Sequence, residues 1–172
     1  MAGVTKAIGM LQRVNKPLLL LFMVLLVSCS GTVLHEFRSM DNRVWHSNDT
    51  LDFVYGHDRP DSYVACVEAR VAASYPYKNL VVRVECLSTK SGIPVVVDTV
   101  CCGLYTDDGR RKGATVGILY QVSSVPMYVD AEGCDTLQFR LSHMMDTVDL
   151  CGVSDVGIRL SSSRGLRQSS GR

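Results

Sequence analysis

The chain has 172 residues, with 18 Lys+Arg against 17 Asp+Glu, 47% hydrophobic residues and 20% charged ones. These proportions allow a folded core of single-domain size and exclude an acidic disordered chain. A formal charge of +1 gives no sequence-wide basic field for nucleic acid, and seven cysteines, an odd number, single one out.

Residues 1–28 contain Lys6, Arg13 and Lys16, no acid, and an apolar run from Leu18 to Val27. This is the layout of a secretory signal. The run is too short for the roughly 20 residues of a bilayer-crossing helix. At its end, Leu26-Val27-Ser28-Cys29 resembles the bacterial lipobox. That resemblance implies cleavage before Cys29, followed by acylation of its sulfur and of its new α-amino group. Three chains at about 0.8 kcal/mol per buried CH₂ anchor a protein in effect permanently. Ser30 and Gly31 follow, with neither an Asp beside the cysteine nor an acidic cluster. By resemblance to lipoprotein sorting signals, this implies an outer-membrane protein, lipid-anchored and facing the periplasm.

Beyond Cys29 the apolar residues fall in short runs rich in Val, Thr and Tyr, broken by Gly, Pro, Asn and Asp, a pattern of strands and turns. Short strands are expected around Val33–Phe37, Val44-Trp45 and Leu51–Tyr55. From Tyr63 to Val71 the alternation places Tyr63, Ala65, Val67, Ala69 and Val71 on one face, with Glu68 and Arg70 on the other. Leu80, Val82, Val84 and Cys86 share a face opposite Arg83 and Glu85. Tyr75-Pro76-Tyr77-Lys78-Asn79 reads as a hairpin or an inter-sheet connection. Further strands are expected over Val95–Tyr105, Val116–Gln121, Leu137–Met145 and Val156–Leu160, with Asp107-Asp108-Gly109 as a turn and Arg110-Arg111-Lys112-Gly113 as an exposed basic tip. About eight strands without a βαβ rhythm indicate an all-β chain, an antiparallel β-sandwich of jelly-roll type. The organisation expected is a signal (1–28), a sandwich (29–160) and a disordered Ser/Arg-rich tail (161–172). Their charges differ: residues 29–160 hold 12 Lys+Arg and 17 Asp+Glu, whereas 161–172 hold three Arg and no acid.

Catalytic patterns are lacking. Gly152-Val153-Ser154-Asp155-Val156-Gly157 has its second glycine one place too far for a nucleophile elbow and reads as the start of a strand. His35, His46, His57 and His143 show no metal-ligand spacing. Asp107-Asp108-Gly109 lacks the further oxygens of a calcium loop. No catalytic residue, cofactor or metal is expected. Trp45, Tyr75 and Tyr77 could form a stacking platform for a glycan, although a single Trp in a sandwich more often fills the core. With Cys29 assigned to lipid, six cysteines remain. Cys101 and Cys102 point to opposite faces, Cys66 and Cys86 could pair, and the others read mainly as small buried residues.

Several segments in order resemble the gliding-motility lipoprotein GldH family: Trp45 and Phe53, the strand with Arg70, Tyr75-Pro76-Tyr77-x-Asn79-Leu80, Asp107-x-Gly109, and Leu150-x-Gly152-Val153-x-Asp155-Val156-Gly157-Ile158-Arg159. The segments Tyr75-Pro76-Tyr77-x-Asn79-Leu80 and Gly152-Val153-x-Asp155-Val156-Gly157-Ile158-Arg159 are the specific ones, and the basic loop after Asp107 departs from the family's glycine-rich pattern. The resemblance implies a non-enzymatic envelope lipoprotein, membrane-bound through its anchor and associated with a gliding or related envelope protein complex. Physically, the motifs read as architecture, with Asp155 placed to pair with Arg70 or Arg159. The alternative expectation is a periplasmic module binding a glycan or other small ligand.

Overall fold

The computed structural model describes residues 31–57 and 62–163. The expected signal, Cys29 and residues 164–172 of the expected tail lie outside the described residues. Twelve strands form within them: β1 (Thr32–Ser39), β2 (Val44–His46), β3 (Leu51–Gly56), β4 (Ser62–Ala72), β5 (Asn79–Ser88), β6 (Pro94–Gly103), β7 (Ala114–Val116), β8 (Leu119–Ser123), β9 (Met127–Asp130), β10 (Thr136–His143), β11 (Asp149–Cys151) and β12 (Val153–Ser162).

Period-two alternation lets each long strand bury one face, and the chain uses it to stack two sheets. The first runs β1-β12-β4-β8-β7, with β9 also on β4; the second runs β3-β10-β5-β6; a short ladder joins β11 to β2. All pairings are antiparallel. The expected antiparallel sandwich is therefore the fold observed. Val67, Ala69 and Val71 of β4 meet Leu80, Val82 and Val84 of β5 in one core that also holds Trp45, Phe53, Phe139, Ile158 and Leu160. Cys102 Sγ, on β6, lies 3.7 Å from the Val67 carbonyl of the opposite sheet. Burying each large apolar side chain contributes about 1.5–3 kcal/mol, so this interlayer is the main source of stability.

Two local expectations are corrected, and two strands are added. Residues 116–121 form no single strand: the chain turns at Gly117-Ile118, making β7 and β8 a hairpin. Strands β9 and β11, unmarked by alternation because they are only four and three residues long, complete the pairing of β4 and β2. Along β4, the partner changes from β9 to β8 at Ser124, whose hydroxyl accepts the Val67 N–H at 3.1 Å while its own N–H donates to the Val67 carbonyl at 2.8 Å. Finally, Arg111 does not belong to an exposed tip. Its guanidinium lies 5.0 Å from the Tyr105 ring and 4.2 Å from the Tyr120 ring, and it donates to Tyr105 Oη at 2.6 Å. Stacking and this hydrogen bond draw it back to the domain. Tyr75–Asn79 is an inter-sheet connection, since β4 and β5 belong to different sheets.

Candidate functional site

The outward face of the first sheet carries a connected polar cluster. By alternation Glu68 should be a solvated charge, yet it is 5% exposed. Register explains this: Glu68 lies opposite Gly157 on β12 and Ser123 on β8, which have little or no side chain. Longer side chains from the adjacent rows close over it. Arg159 Nε donates to Oε1 at 2.7 Å, Gln121 Nε2 donates to Oε2 at 2.8 Å, and His35 Nε2 stands 3.0 Å from Oε2. Gln121 Oε1 in turn accepts from Arg70 Nε at 3.0 Å, and the Arg70 guanidinium lies 3.9 Å over the Phe37 ring. Burial pushes the Glu68 pKa up, but the hydrogen bonds from Arg159 and His35 outweigh it and hold the carboxyl below its ordinary value. Both carboxylate oxygens are occupied, so the cluster ties four strands together and leaves no free base. An open cavity of about 260 Å³ adjoins it, lined by Glu68, Lys112, Gln121 and Ser123 among others.

The motif Gly152 to Arg159 is consumed by the same architecture. Gly152 adopts φ +90°, and a Cβ there would meet the Tyr75 Cα at 3.0 Å. Its N–H donates to the Arg43 carbonyl and its own carbonyl accepts the Ala72 N–H, both at 2.8 Å. The two specific sequence motifs thus meet at Gly152 and Tyr75, and the Tyr75 hydroxyl closes its own connection by donating to the Asn79 carbonyl at 2.9 Å. Asp155 Oδ1 accepts from Ser39 Oγ at 2.7 Å, so its partner is a β1 hydroxyl rather than Arg70 or Arg159. At Gly157 a Cβ would stand 2.4 Å from the Glu36 carbonyl and 2.7 Å from Phe37 Cδ1. The bare strand lets Phe37 cross it and carry Arg70.

The expected stacking platform is not formed by the residues proposed for it. Trp45 and Tyr75 are buried and Tyr77 is half-buried. Trp45 donates its Nε1–H to the Asp49 carbonyl at 3.1 Å and meets His143 edge-on with 5.4 Å between rings. Burial lowers the His143 pKa against the opposing pull of the Trp45 backbone and Asp49. On the short ladder, His46 Nδ1 stands 2.6 Å from Asp149 Oδ1, both well exposed. A cavity of about 400 Å³ touches His46, Ser39, Asp49 and Thr50. A histidine oriented by a carboxylate is two thirds of a hydrolytic triad, but the Ser39 hydroxyl is given to Asp155. Among the described residues no group of three or more His, Cys, Asp or Glu side chains is placed to hold a metal ion.

All six cysteines of the described residues are free thiols. Cys66 and Cys86 cannot pair: β4 and β5 lie in different sheets, with Cys66 on the outward face and Cys86 in the core. Cys102 is buried and its neighbour Cys101 exposed, as alternation requires; Cys151 is exposed and Cys134 half-buried. Burial pushes the Cys86 and Cys102 thiols up to about 12.

Residues 32–160 match the family described as GldH lipoprotein. No curated protein matches the chain. Among solved structures, the infectious bursal disease virus VP2 subviral particle is similar at 11% identity and a TM-score of 0.39, over 76% of this chain and 33% of the viral one. The chain thus spans about a third of that viral protein's length.

Proposed function

From the premise that the chain belongs to the GldH lipoprotein family, we propose that it is a non-enzymatic outer-membrane lipoprotein, acylated at Cys29 and facing the periplasm. Its role is to serve as a structural or interaction component of a gliding-motility or related envelope protein complex. The observation that carries this reading is the use made of the motif residues. Gly152, Asp155, Gly157 and Arg159 are committed to Tyr75, Ser39, Phe37 and Glu68. Residues that fix a shape, each engaged with a neighbour in the fold, suit a component that presents a surface rather than one that turns over a substrate. The lipobox residues Leu26 to Cys29 support the anchor, and the free edge of β6 supplies a surface with Val97, Asp98 and Thr99 exposed.

The test is crosslinking in the host membrane followed by affinity purification of the acylated protein. A reproducible envelope protein, lost when the cell envelope is solubilised before crosslinking, is the expected result. Recovery of the lipoprotein alone across several crosslinker lengths removes the interaction role.

A further inference from the structure

We propose that the free edge of β6 accepts an added β-strand from a partner protein, an extended segment that sets a Lys or Arg opposite Asp98. This rests on the interaction role proposed above and gives that role a surface and a chemistry. The sheet edges are unequally covered. On one side β1 and β3 are bridged: Arg38 donates to the Asp52 carbonyl at 3.2 Å and its guanidinium lies 4.9 Å from the Phe53 ring. On the other side β7 and β9 offer three and four residues, whereas β6 runs for ten with β5 as its one partner.

The phase of the β5–β6 ladder follows from the Leu104 N–H, which donates to the Lys78 carbonyl at 2.9 Å just beyond the two strands. Antiparallel hydrogen-bonded pairs recur at every second residue. Cys102, Val100 and Asp98 therefore bond to Leu80, Val82 and Val84, and Cys101, Thr99 and Val97, all exposed, turn their backbone groups to the open side. The Thr99 N–H bears this out, since it donates to Asp98 Oδ1 at 2.7 Å rather than to β5.

Asp98 is the selective element. Its side chain shares the inner face with Val96 and Val100 but is exposed at the rim, and among the described residues it has no ion pair. An inward-pointing charge on an edge blocks indiscriminate pairing. A second copy added about a two-fold axis brings Asp98 against itself. The registers that pair the whole strand put the two carboxylates directly or diagonally opposite, with Cβ atoms about 5 Å or about 7–8 Å apart, and like charges there repel. Any incoming strand must also draw the carboxylate off the Thr99 N–H before its own carbonyl can bond that donor. A Lys or Arg opposite Asp98 takes up the displaced carboxylate and leaves the donor free. Apolar residues two places either side of that cation fall on the face of Val96 and Val100. Main-chain bonds then supply affinity and the side chains supply choice, as in other strand additions.

The test titrates the full-length chain in detergent with the peptide Thr-Val-Thr-Lys-Thr-Val-Thr and with its counterpart carrying Glu for Lys, and follows amide exchange by NMR. The Val97 and Cys101 amides should exchange fast in the free chain and slow in the presence of the Lys peptide. That peptide should bind about tenfold more tightly than the Glu peptide, a preference lost in Asp98→Asn and reduced by high salt. No binding of the Lys peptide, equal affinities for the two, or binding that leaves Val97 and Cys101 exchanging fast overturns the proposal. A wild-type chain that dimerises with those two amides protected also overturns it and assigns the edge to a second copy. Crosslinking in the host membrane separates this inference from the role beneath it. A partner joined away from β6 overturns the inference and leaves the role intact, whereas recovery of the lipoprotein alone removes the role, whatever the peptides show.

Discussion

Replacing Arg159 by Leu should destabilise the domain more than replacing Glu68 by Leu, although both changes delete the same ion pair. The two side chains are unequally placed, with 36% of Arg159 exposed against 6% of Glu68 at an Nε to Oε1 separation of 2.7 Å. Without Glu68, the guanidinium turns to water. The guanidinium's share of the loss is one charge-assisted hydrogen bond, about 1.5–3 kcal/mol with screening at this exposure favouring the lower end, and the exposed His35 and half-buried Gln121, which lose their bonds to Glu68 as well, also turn to water. Without Arg159, a buried carboxylate keeps only His35 and Gln121, and breaking a buried pair from that side costs about 3–5 kcal/mol. The double variant should therefore be about 2 kcal/mol more stable than the sum of the single losses implies. Urea unfolding followed by Trp45 fluorescence, with unchanged m-values, measures all three. The deficit of Arg159→Leu should also shrink as pH falls, because burial is then opposed less strongly and the Glu68 carboxyl protonates more readily. Two single losses both under about 0.5 kcal/mol, the range of ordinary surface changes, or a larger loss for Glu68→Leu, would refute the reasoning.

Gly157→Ala forces the Glu36 carbonyl and Phe37 off β12, and should cost about 1–3 kcal/mol as overpacking does; an unchanged urea midpoint contradicts the close approach. Stability should fall with acid. The depressed Glu68 pKa contributes above the unfolded carboxyl value near 4.5 and is lost as pH drops through the folded one. The lowered His143 pKa adds a loss that begins as pH falls below about 6.5. Midpoints measured from pH 7 down to pH 3 should show both, with the limb below 4.5 flattened in Glu68→Gln; equal acid limbs in the two proteins count against the cluster. Under native conditions Cys101 and Cys151 should react rapidly with an aromatic disulfide reagent, whereas Cys66, Cys86 and Cys102 should wait for unfolding; fast reaction of the core thiols would contradict their burial.

The sandwich was legible wherever a strand alternates over many residues. Tyr63 to Val71 and Leu80 to Cys86 bury the faces the sequence assigns them, because period two is a local property of each strand. Register was not legible, and most of the polar cluster follows from register. Glu68 looks like a solvated charge until Gly157 and Ser123 are known to flank it, and its partners lie 33, 53 and 91 residues away in sequence. One hint was available: Val64 and Cys66, also on the outward face of β4, are apolar, which suits a strand covered on both sides. Arg111 was missed for a similar reason, since Tyr105 and Tyr120 clasp it from two different strand ends. The motif glycines were visible as motif members, but that Gly157 makes room for Phe37 and Gly152 for Tyr75 depends on contacts between β1 and β12 and between the β11–β12 junction and the inter-sheet connection.

The proposed role at a membrane depends first on acylation of Cys29. In host cells fed a fatty-acid analogue, the wild-type protein should carry the label and resist extraction from the outer-membrane fraction at alkaline pH. Cys29→Ala should carry none and be lost from that fraction. Label retained in Cys29→Ala, or an unlabelled wild-type protein, would contradict acylation at Cys29.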